Sequence, residues 1–486
     1  MAQHRPAALV FAIDLGSSSV RSALFTETGA RLAPTIASRH YSICYSADGA
    51  AELDPNVLLS SARACMAETL RARSSSRLLI RVPIVAAAGS AFWHGLLGVN
   101  RKNQPITPVF TWADSRASAD AAQLRRELDE RHVQVNTGCM LRAHFWPAKL
   151  RWLRRTNRAL FRRVTRWRSP ASWIFDNIFG VGSSSHSMAS ATGLYNVDAE
   201  RWDDEMIDRC GIRLQQLDTI GDADRSTKRL REFRDATIFA AIGDGAASNI
   251  GSRADRRGTA AINYGTSGAV RIIRSKAVAR KQTVPFGLFQ YVVDAHRVVI
   301  GGAISNAGNL RQWCVRELHV PDEQQALSRT AAAEDSLVML PFLVRERSPD
   351  WPENLYGTFT GLTQTTTATD LLRASETSTF YRLAEILDQI AQQTPVTDVI
   401  VSGGILHSAA SLRILADSLG RDIRLSRELE SSLRGAAVYS LQALGRNVAP
   451  LAAGSIIRHN RALARKHRQR RSEQRALQLL LEPAQS

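Results

Sequence analysis

Two stretches of the chain share one pattern: an apolar run, a short glycine-hydroxyl turn, and a second apolar run. In the first, residues 9–14 and 20–26 flank Gly16-Ser-Ser-Ser19. In the second, Arg257-Gly-Thr-Ala-Ala-Ile-Asn-Tyr264 leads into Gly265-Thr-Ser-Gly268, and a new apolar run follows at 269–273. Short apolar runs bounded by turn residues predict strands, so each loop is expected to join strand to strand. That excludes the GxxxxGK[ST] phosphate loop and the GxGxxG dinucleotide turn, both of which open a helix. Two backbone-rich hairpins able to meet phosphate suggest a duplicated α/β domain with a cleft between the copies.

Helical periodicity falls at 56–74, 118–131, 305–317, 368–393 and 408–419. The Ser/Gly-rich stretch 181–190 reads as a loop. A boundary is expected near Gly251–Arg257. The expected division is 1–252 for a first domain, 253–450 for a second and 451–486 for a basic helical tail. At 486 residues the chain exceeds what one core supports, which agrees with two or three domains.

With 44% apolar and 22% charged residues the composition is that of a globular protein. No apolar run reaches membrane-spanning length, so no membrane is expected. The five cysteines (Cys44, Cys65, Cys139, Cys210, Cys314) are scattered without a CxxC pair. A reduced cytoplasmic setting without a thiolate metal site follows. The net charge of +18 is concentrated at 151–168 and 458–475. No aromatic platform or reading element accompanies it, so nucleic acid is not the expected partner. The tail reads instead as a solvated basic helix over 462–481, with Leu477, Leu479, Leu480 and Leu481 docking it.

The strongest chemical signal is Ile242-Gly-Asp-Gly-Ala-Ala-Ser248, which follows the apolar run 238–242. A strand ending in Gly-Asp-Gly brings Asp244 to a carboxyl end with no side-chain bulk beside it. That suits a general base facing a ligand hydroxyl, although Gly-Asp-Gly is also an ordinary turn.

Taken together the segments resemble the FGGY carbohydrate kinases of the actin-like ATPase superfamily, in the family's order. Ile13-Asp-Leu-Gly-Ser-Ser-Ser-Val-Arg21 is similar to the first phosphate loop, and Pro108-Val-Phe-Thr-Trp-Ala-Asp-Ser-Arg-Ala117 to the TWxDxRA segment. Thr137-Gly-Cys139 with Lys149-Leu-Arg-Trp152 matches the TG…KxxW stretch, and Gly265-Thr-Ser-Gly268 the second phosphate loop. Pro341-Phe-Leu-Val-Arg-Glu-Arg-Ser-Pro349, Ser402-Gly-Gly404 and Glu430-Ser-Ser-Leu-Arg-Gly-Ala-Ala437 complete the series.

The resemblance implies an α/β fold of two ribonuclease-H-like domains with an interdomain catalytic cleft. It implies ATP and Mg²⁺ as cofactors and a small sugar or sugar acid as substrate; a homodimer is an open expectation. Asp244 becomes the catalytic base. Asp14 would hold Mg²⁺. Gly16, Ser17, Ser18, Ser19, Arg21, Gly265, Thr266 and Ser267 would meet the phosphates, and Gly403, Gly404 and Ser408 the nucleoside. Trp93, His94, Trp112 and His144 would line the sugar site, although core packing is the rival reading of these rings. Asp114 and Arg116 are expected to pair with each other, and Lys149 is left as a solvated helix-face lysine. The segment Gly89-Ser-Ala-Phe-Trp-His-Gly-Leu-Leu97 leans toward gluconate, with xylulose, another ketopentose or a polyol as alternatives. A regulator without turnover is the rival of another class. It is prompted by the basic surface and by three departures from the family: Arg345 where glycine is common, Thr365-Thr-Thr367, and Ser375-Glu-Thr377.

Overall fold

The computed structural model describes residues 6–224, 229–320, 322–328, 337–352 and 354–482. Two seven-stranded sheets organise it. The first is built from β1 (Leu9–Leu15), β2 (Ser19–Thr26), β3 (Ala37–His40), β4 (Ile84–Ala91), β5 (Ala223–Asp224), β6 (Thr237–Phe239) and β7 (Ile242–Gly243). Its order is β5-β6-β4-β1-β2-β3, with β7 also on β4. The second comprises β8 (Thr259–Tyr264), β9 (Gly268–Ser275), β10 (Phe289–Val292), β11 (Arg297–Ile304), β12 (Asp398–Ser402), β13 (Ile423–Leu425) and β14 (Ile456–Ile457), ordered β10-β11-β9-β8-β12-β13-β14.

The duplication expected from the paired loops is present. β1 is antiparallel to β2 and parallel to β4, and β8 is antiparallel to β9 and parallel to β12. All seven residues of β1 are buried, as an apolar run covered on both faces requires.

The helices that matter for the site are α1 (Pro55–Ser75), α2 (Trp146–Thr156), α3 (Asp244–Gly251), α4 (Gly308–Glu317), α5 (Glu323–Ser328), α6 (Ala368–Gln393), α7 (Ala409–Leu419), α8 (Ser431–Ala443) and α9 (Arg461–Leu481). Their starts are chemically marked. Asp54 caps α1 ahead of Pro55, and Thr367 with Asp370 forms a capping box on α6. Helix α8 buries Leu433, Ala436 and Val438 in the core of the first sheet, although it lies late in the chain. It crosses α3 at backbone contact. A Cβ on Gly251 would stand 1.8 Å from the Ser431 carbonyl oxygen, and one on Gly435 1.8 Å from that of Ala247. Small residues at this crossing let the two halves of the chain meet.

Three expectations are corrected. The 118–131 helix is two, Ser118–Glu127 and Glu130–Thr137, because Leu128 turns extended and the Asp129 carboxylate accepts from the Arg131 and His132 amides to start a new one. The 181–190 loop ends in a short helix, His186–Ser190, capped by Ser185. Three of the four leucines expected to anchor α9 do not: Leu479, Leu480 and Leu481 are 56%, 80% and 42% exposed, and Leu477 is half-buried. The buried contacts are Ala464, Gln474 and Gln478 instead. Gln474 Nε2 donates to the Met339 and Ser378 carbonyls, and Gln478 Oε1 accepts from Arg382. A polar seam holds this helix where an apolar one was expected.

Among the described residues no helix is long and apolar enough to cross a membrane.

Candidate active site

Strand register brings the acids together. Asp14 on β1 lies opposite Ser90 on β4, and on the other side of β4 Ile242 and Gly243 lie opposite Ser90 and Ala91. Asp14, Ser90 and Asp244 therefore emerge together at strand carboxyl ends. Ser90 Oγ donates to Asp14 Oδ1 at 2.5 Å, and the Gly245 amide donates to Asp244 Oδ1 at 2.7 Å. The two glycines beside Asp244 are explained by what crowds them. A Cβ on Gly243 would lie 1.8 Å from the Trp93 ring, and one on Gly245 would lie 2.6 Å from Arg271 Nε. They let an indole and a guanidinium close around the acid. Burial pushes Asp14 up to about 7, opposed by the Ser90 hydrogen bond and reinforced by the Asp244 charge. Burial also raises Asp244, opposed by Arg271, by the Gly245 amide and by Arg347. Two carboxylates share a buried space, and the guanidinium groups near them oppose the effect of burial without cancelling it.

The two hydroxyl loops close with matching bonds: the Gly16 amide donates to the Ser19 carbonyl at 2.9 Å, and the Gly265 amide to the Ser267 carbonyl at 3.0 Å. Ser18 and Thr266 are exposed and Ser17 and Ser267 half-buried, whereas Ser19 is buried within β2. The end of β12 presses on the second loop. Gly403 has φ +95°, and a Cβ there would stand 2.5 Å from the Tyr264 carbonyl oxygen, which only glycine permits. Gly404 beside it is exposed. Ser408 is buried and caps α7, with its Oγ hydrogen-bonded to Gln324 and Ser411. Arg21 is bound to Glu430 at 2.9 Å, tying β2 to the start of α8. Ser17→Ala and Thr266→Ala are each expected to weaken ATP about 10- to 150-fold, the value of one hydrogen bond to a charged group, with sugar affinity changed far less. Calorimetric titration of ATP onto both variants checks this; unchanged binding in both would remove the paired loops from the nucleotide site.

Rings from both halves of the chain form one wall beside Asp244. Trp93 is buried, donates Nε1–H to the Ser187 carbonyl, and packs edge-on against Tyr291 at 5.0 Å. Tyr291 stacks on Phe289 at 4.5 Å. His94 holds φ +68°, outside ordinary non-glycine backbone, with Nδ1 bonded to the Ala191 carbonyl at 2.8 Å. Burial lowers it to about 3, so it is neutral. His144 packs on Trp351, and burial likewise keeps it neutral, with Nδ1 lacking a partner. Trp112 is capped by Arg347, whose guanidinium carbon lies 5.0 Å from the ring centre.

Lys149 is not a solvated lysine. It is 2% exposed on α2, and its Nζ donates to the carbonyls of His94, Phe110 and Thr111 at 2.9, 3.3 and 2.7 Å. Burial brings it down to about 7. It ties the strained His94 turn to the Trp112 segment. Lys149→Met would leave the His94 carbonyl unpaired and take a charged donor from the Phe110 and Thr111 carbonyls, which keep the Leu96 and Asp114 amides, and we expect a loss of about 1–3 kcal/mol of stability together with a raised sugar KM. Thermal unfolding and steady-state kinetics read both. Asp114 and Arg116 do pair, at 2.6 Å, with Glu52 as a second acid.

Family models match both halves of the chain: the FGGY N-terminal domain over residues 9–243 and the FGGY C-terminal domain over 260–444. The chain belongs to the FGGY family of carbohydrate kinases. It is 25% identical over 463 residues to the gluconokinase of Bacillus subtilis (89% of this chain, 87% of that protein). It is 27% identical over 455 residues to the glycerol kinase of Polaromonas naphthalenivorans (88% and 89%). Its fold matches a xylulose kinase from Lactobacillus acidophilus with TM-score 0.88 at 23% identity (98% and 99% covered). A gluconate kinase from the same organism matches with TM-score 0.87 at 22% (98% of each). The two-domain, actin-like ATPase fold is thereby shown.

FGGY kinases use ATP with Mg²⁺, and the residues here fit both. Asp14 is a carboxylate raised by burial and further by the charge of Asp244, so a divalent cation would relieve it. Among the described residues no three His, Cys, Asp or Glu side chains cluster as metal ligands. Mg²⁺ takes one or two carboxylates and completes its shell with phosphate oxygens and water, so the single carboxylate of Asp14 fits it.

The family departures lie off this centre. Arg345 is exposed and donates to Ser118 Oγ at 2.5 Å, while its neighbours keep the contacts. Glu346 accepts from the Ser305 amide and Asn306, and Arg347 Nη2 donates to the Ile304 carbonyl at 2.8 Å. Thr367 serves as the α6 cap, and Glu376 is buried against Arg311 at 3.2 Å.

Sequence reasoning missed Arg271, Tyr291, Arg347 and Trp351. Arg271 had a signal: it stands three residues past Gly268, on the strand that leaves the second phosphate loop.

Proposed function

We propose that this chain phosphorylates a hydroxyl of a sugar acid, with gluconate the best single candidate and Asp244 the base. The observation that carries the reading is Arg271. Its guanidinium closes on Gly245 beside Asp244, and its buried Nε has no hydrogen-bond partner among the described residues. Burial lowers its pKa, opposed by the charge of Asp244, so in the free protein its charge is offset only in part and at a distance. A substrate carboxylate would supply that charge, and Arg offers a planar fork for it. The gluconokinase relatives agree in direction.

In this mechanism the aromatic wall of Trp93 and Tyr291 flanks the carbon chain, with neutral His94 and His144 at its hydroxyls. Asp244 accepts the proton of the attacking hydroxyl, and its raised pKa makes it a stronger base than an ordinary aspartate. The loops at Gly16–Ser19 and Gly265–Ser267 hold the triphosphate from opposite sides, so positioning and charge neutralisation do most of the work. Mg²⁺ at Asp14 would neutralise charge on the phosphates. The boundary between working units falls between α3 and β8. The five free cysteines, four of them buried, fit the cytoplasm.

The test is a coupled ADP-release screen over gluconate, xylulose, ribulose, fuculose, glycerol and inositols. Gluconate or another aldonate should give the highest kcat/KM. A neutral ketopentose or polyol ahead of every acid would overturn the sugar-acid reading while leaving the kinase intact.

A further inference from the structure

A cavity of about 570 Å³ lies behind the second sheet, walled by α5, the strand Val338–Leu340, α6, α7 and α9. None of Asp14, Asp244, Thr266 or Trp93 lines it. Its volume is that of a small-molecule site. Its body is apolar, with Leu327 from α5, Met339 from the strand, Ile414 from α7 and Leu463 from α9. Among the described lining residues the charge leans one way: Arg413, Lys466 and Arg470 stand against the acid Asp417. Asp417 already accepts from the Asn460 amide at 2.6 Å, and burial raises its pKa. Arg470 is offset by Glu473, whereas Arg413 and Lys466 are exposed and, among the described residues, have no acidic partner. Inside, Tyr381 Oη and His467 Nδ1 are bonded at 2.9 Å, and burial brings His467 down to about 4, so this pair is neutral.

One wall of the cavity faces nucleotide-side residues. From α5, Gln324 lines the cavity and also bonds Ser408 Oγ at 3.0 Å. Its neighbour Glu323 pairs with Arg311 at 3.2 Å, and Arg311 in turn holds Glu376 and Ser411. A molecule pressing on α5 therefore presses on the cap of α7 and on the Arg311 cluster.

We propose that this cavity is a second ligand site, taking a small amphipathic anion: an aromatic or branched apolar body carrying one phosphate, sulfonate or carboxylate toward Arg413 and Lys466. Occupancy alters nucleotide affinity through α5. The site is independent of which sugar the kinase uses.

The test uses the full chain with the cleft filled by Mg²⁺ and a non-hydrolysable ATP analogue, titrated with 8-anilinonaphthalene-1-sulfonate by fluorescence. One molecule should bind per chain and be displaced by naphthyl phosphate or naphthoate, whichever head group the mouth prefers. Reversing the mouth with Arg413→Glu and Lys466→Glu together should weaken the probe about tenfold, and both positions are exposed, so folding is not at risk. Ala410→Trp, which places bulk in the cavity, should abolish binding. Bound probe should shift the ATP analogue's Kd about threefold in the wild type and not in Ala410→Trp. Probe binding that is unchanged in the charge-reversed protein, or absent from the wild type once the cleft is filled, overturns the site. An unshifted nucleotide Kd overturns the coupling.

Discussion

Asp244→Asn is expected to lower kcat by roughly 10²–10⁴ while changing sugar affinity far less, because the amide keeps the shape but accepts no proton. The same loss should appear with every sugar the enzyme accepts, since the proton transfer is common to all. A pH profile adds a second reading. Burial raises Asp244 and Asp14 above the ordinary aspartate range, Asp14 to about 7. The base must be ionised to act, so kcat/KM should fall as pH drops through these raised values, not near the usual 4. The limb reflects both acids, since the charge of Asp244 helps to raise Asp14. In Asp244→Asn it should move down, because the remaining carboxyl loses its charged neighbour. Stopped-time ADP release across pH measures all of this. Near-wild-type turnover in the variant would remove Asp244 from the role of base.

The apolar runs announced the sheets because burial on both faces leaves strands such as β1 apolar from Leu9 to Ile13, up to Asp14 at the carboxyl end. The glycines around Asp244 announced a crowded acid, and the crowding is real: Trp93 and Arg271 occupy the space two side chains would have filled. What could not be read was partnership at a distance. Lys149 looked solvated because its acceptors are carbonyls at His94, Phe110 and Thr111, and carbonyls leave no trace in side-chain pattern. Tyr291 and Trp351 meet Trp93 and His144 from strands and loops of the other half, where an aromatic residue alone reads as core. The α9 anchor misled for the opposite reason. Its last three leucines are conspicuous and exposed, while Gln474 and Gln478, inconspicuous on a basic helix, are 2% and 1% exposed.

Arg271→Met should divide substrates by charge. Methionine fills a similar volume without a donor, so a sugar acid would lose a charge-assisted contact and leave its carboxylate unpaired in the wall. Such truncations cost about 2–5 kcal/mol, so kcat/KM for gluconate should fall roughly 10²-fold or more. A neutral polyol or ketopentose has no carboxylate to strand, and its loss should stay within about threefold at a pH where Asp244 is ionised. A second effect runs through the acid. Arg271 is the leading influence holding Asp244 down against burial, so its removal lets that carboxyl rise further. The acid limb of kcat/KM should therefore move to higher pH for every substrate, charged or neutral. Arg271→Lys keeps the charge without the planar fork; it should restore the pH profile more fully than gluconate recognition. Measuring kcat/KM for one acid and one neutral sugar across pH separates the two roles. Equal losses for both, following the pH shift alone, would make Arg271 a positioning residue for Asp244 and return the choice of substrate to the aromatic wall.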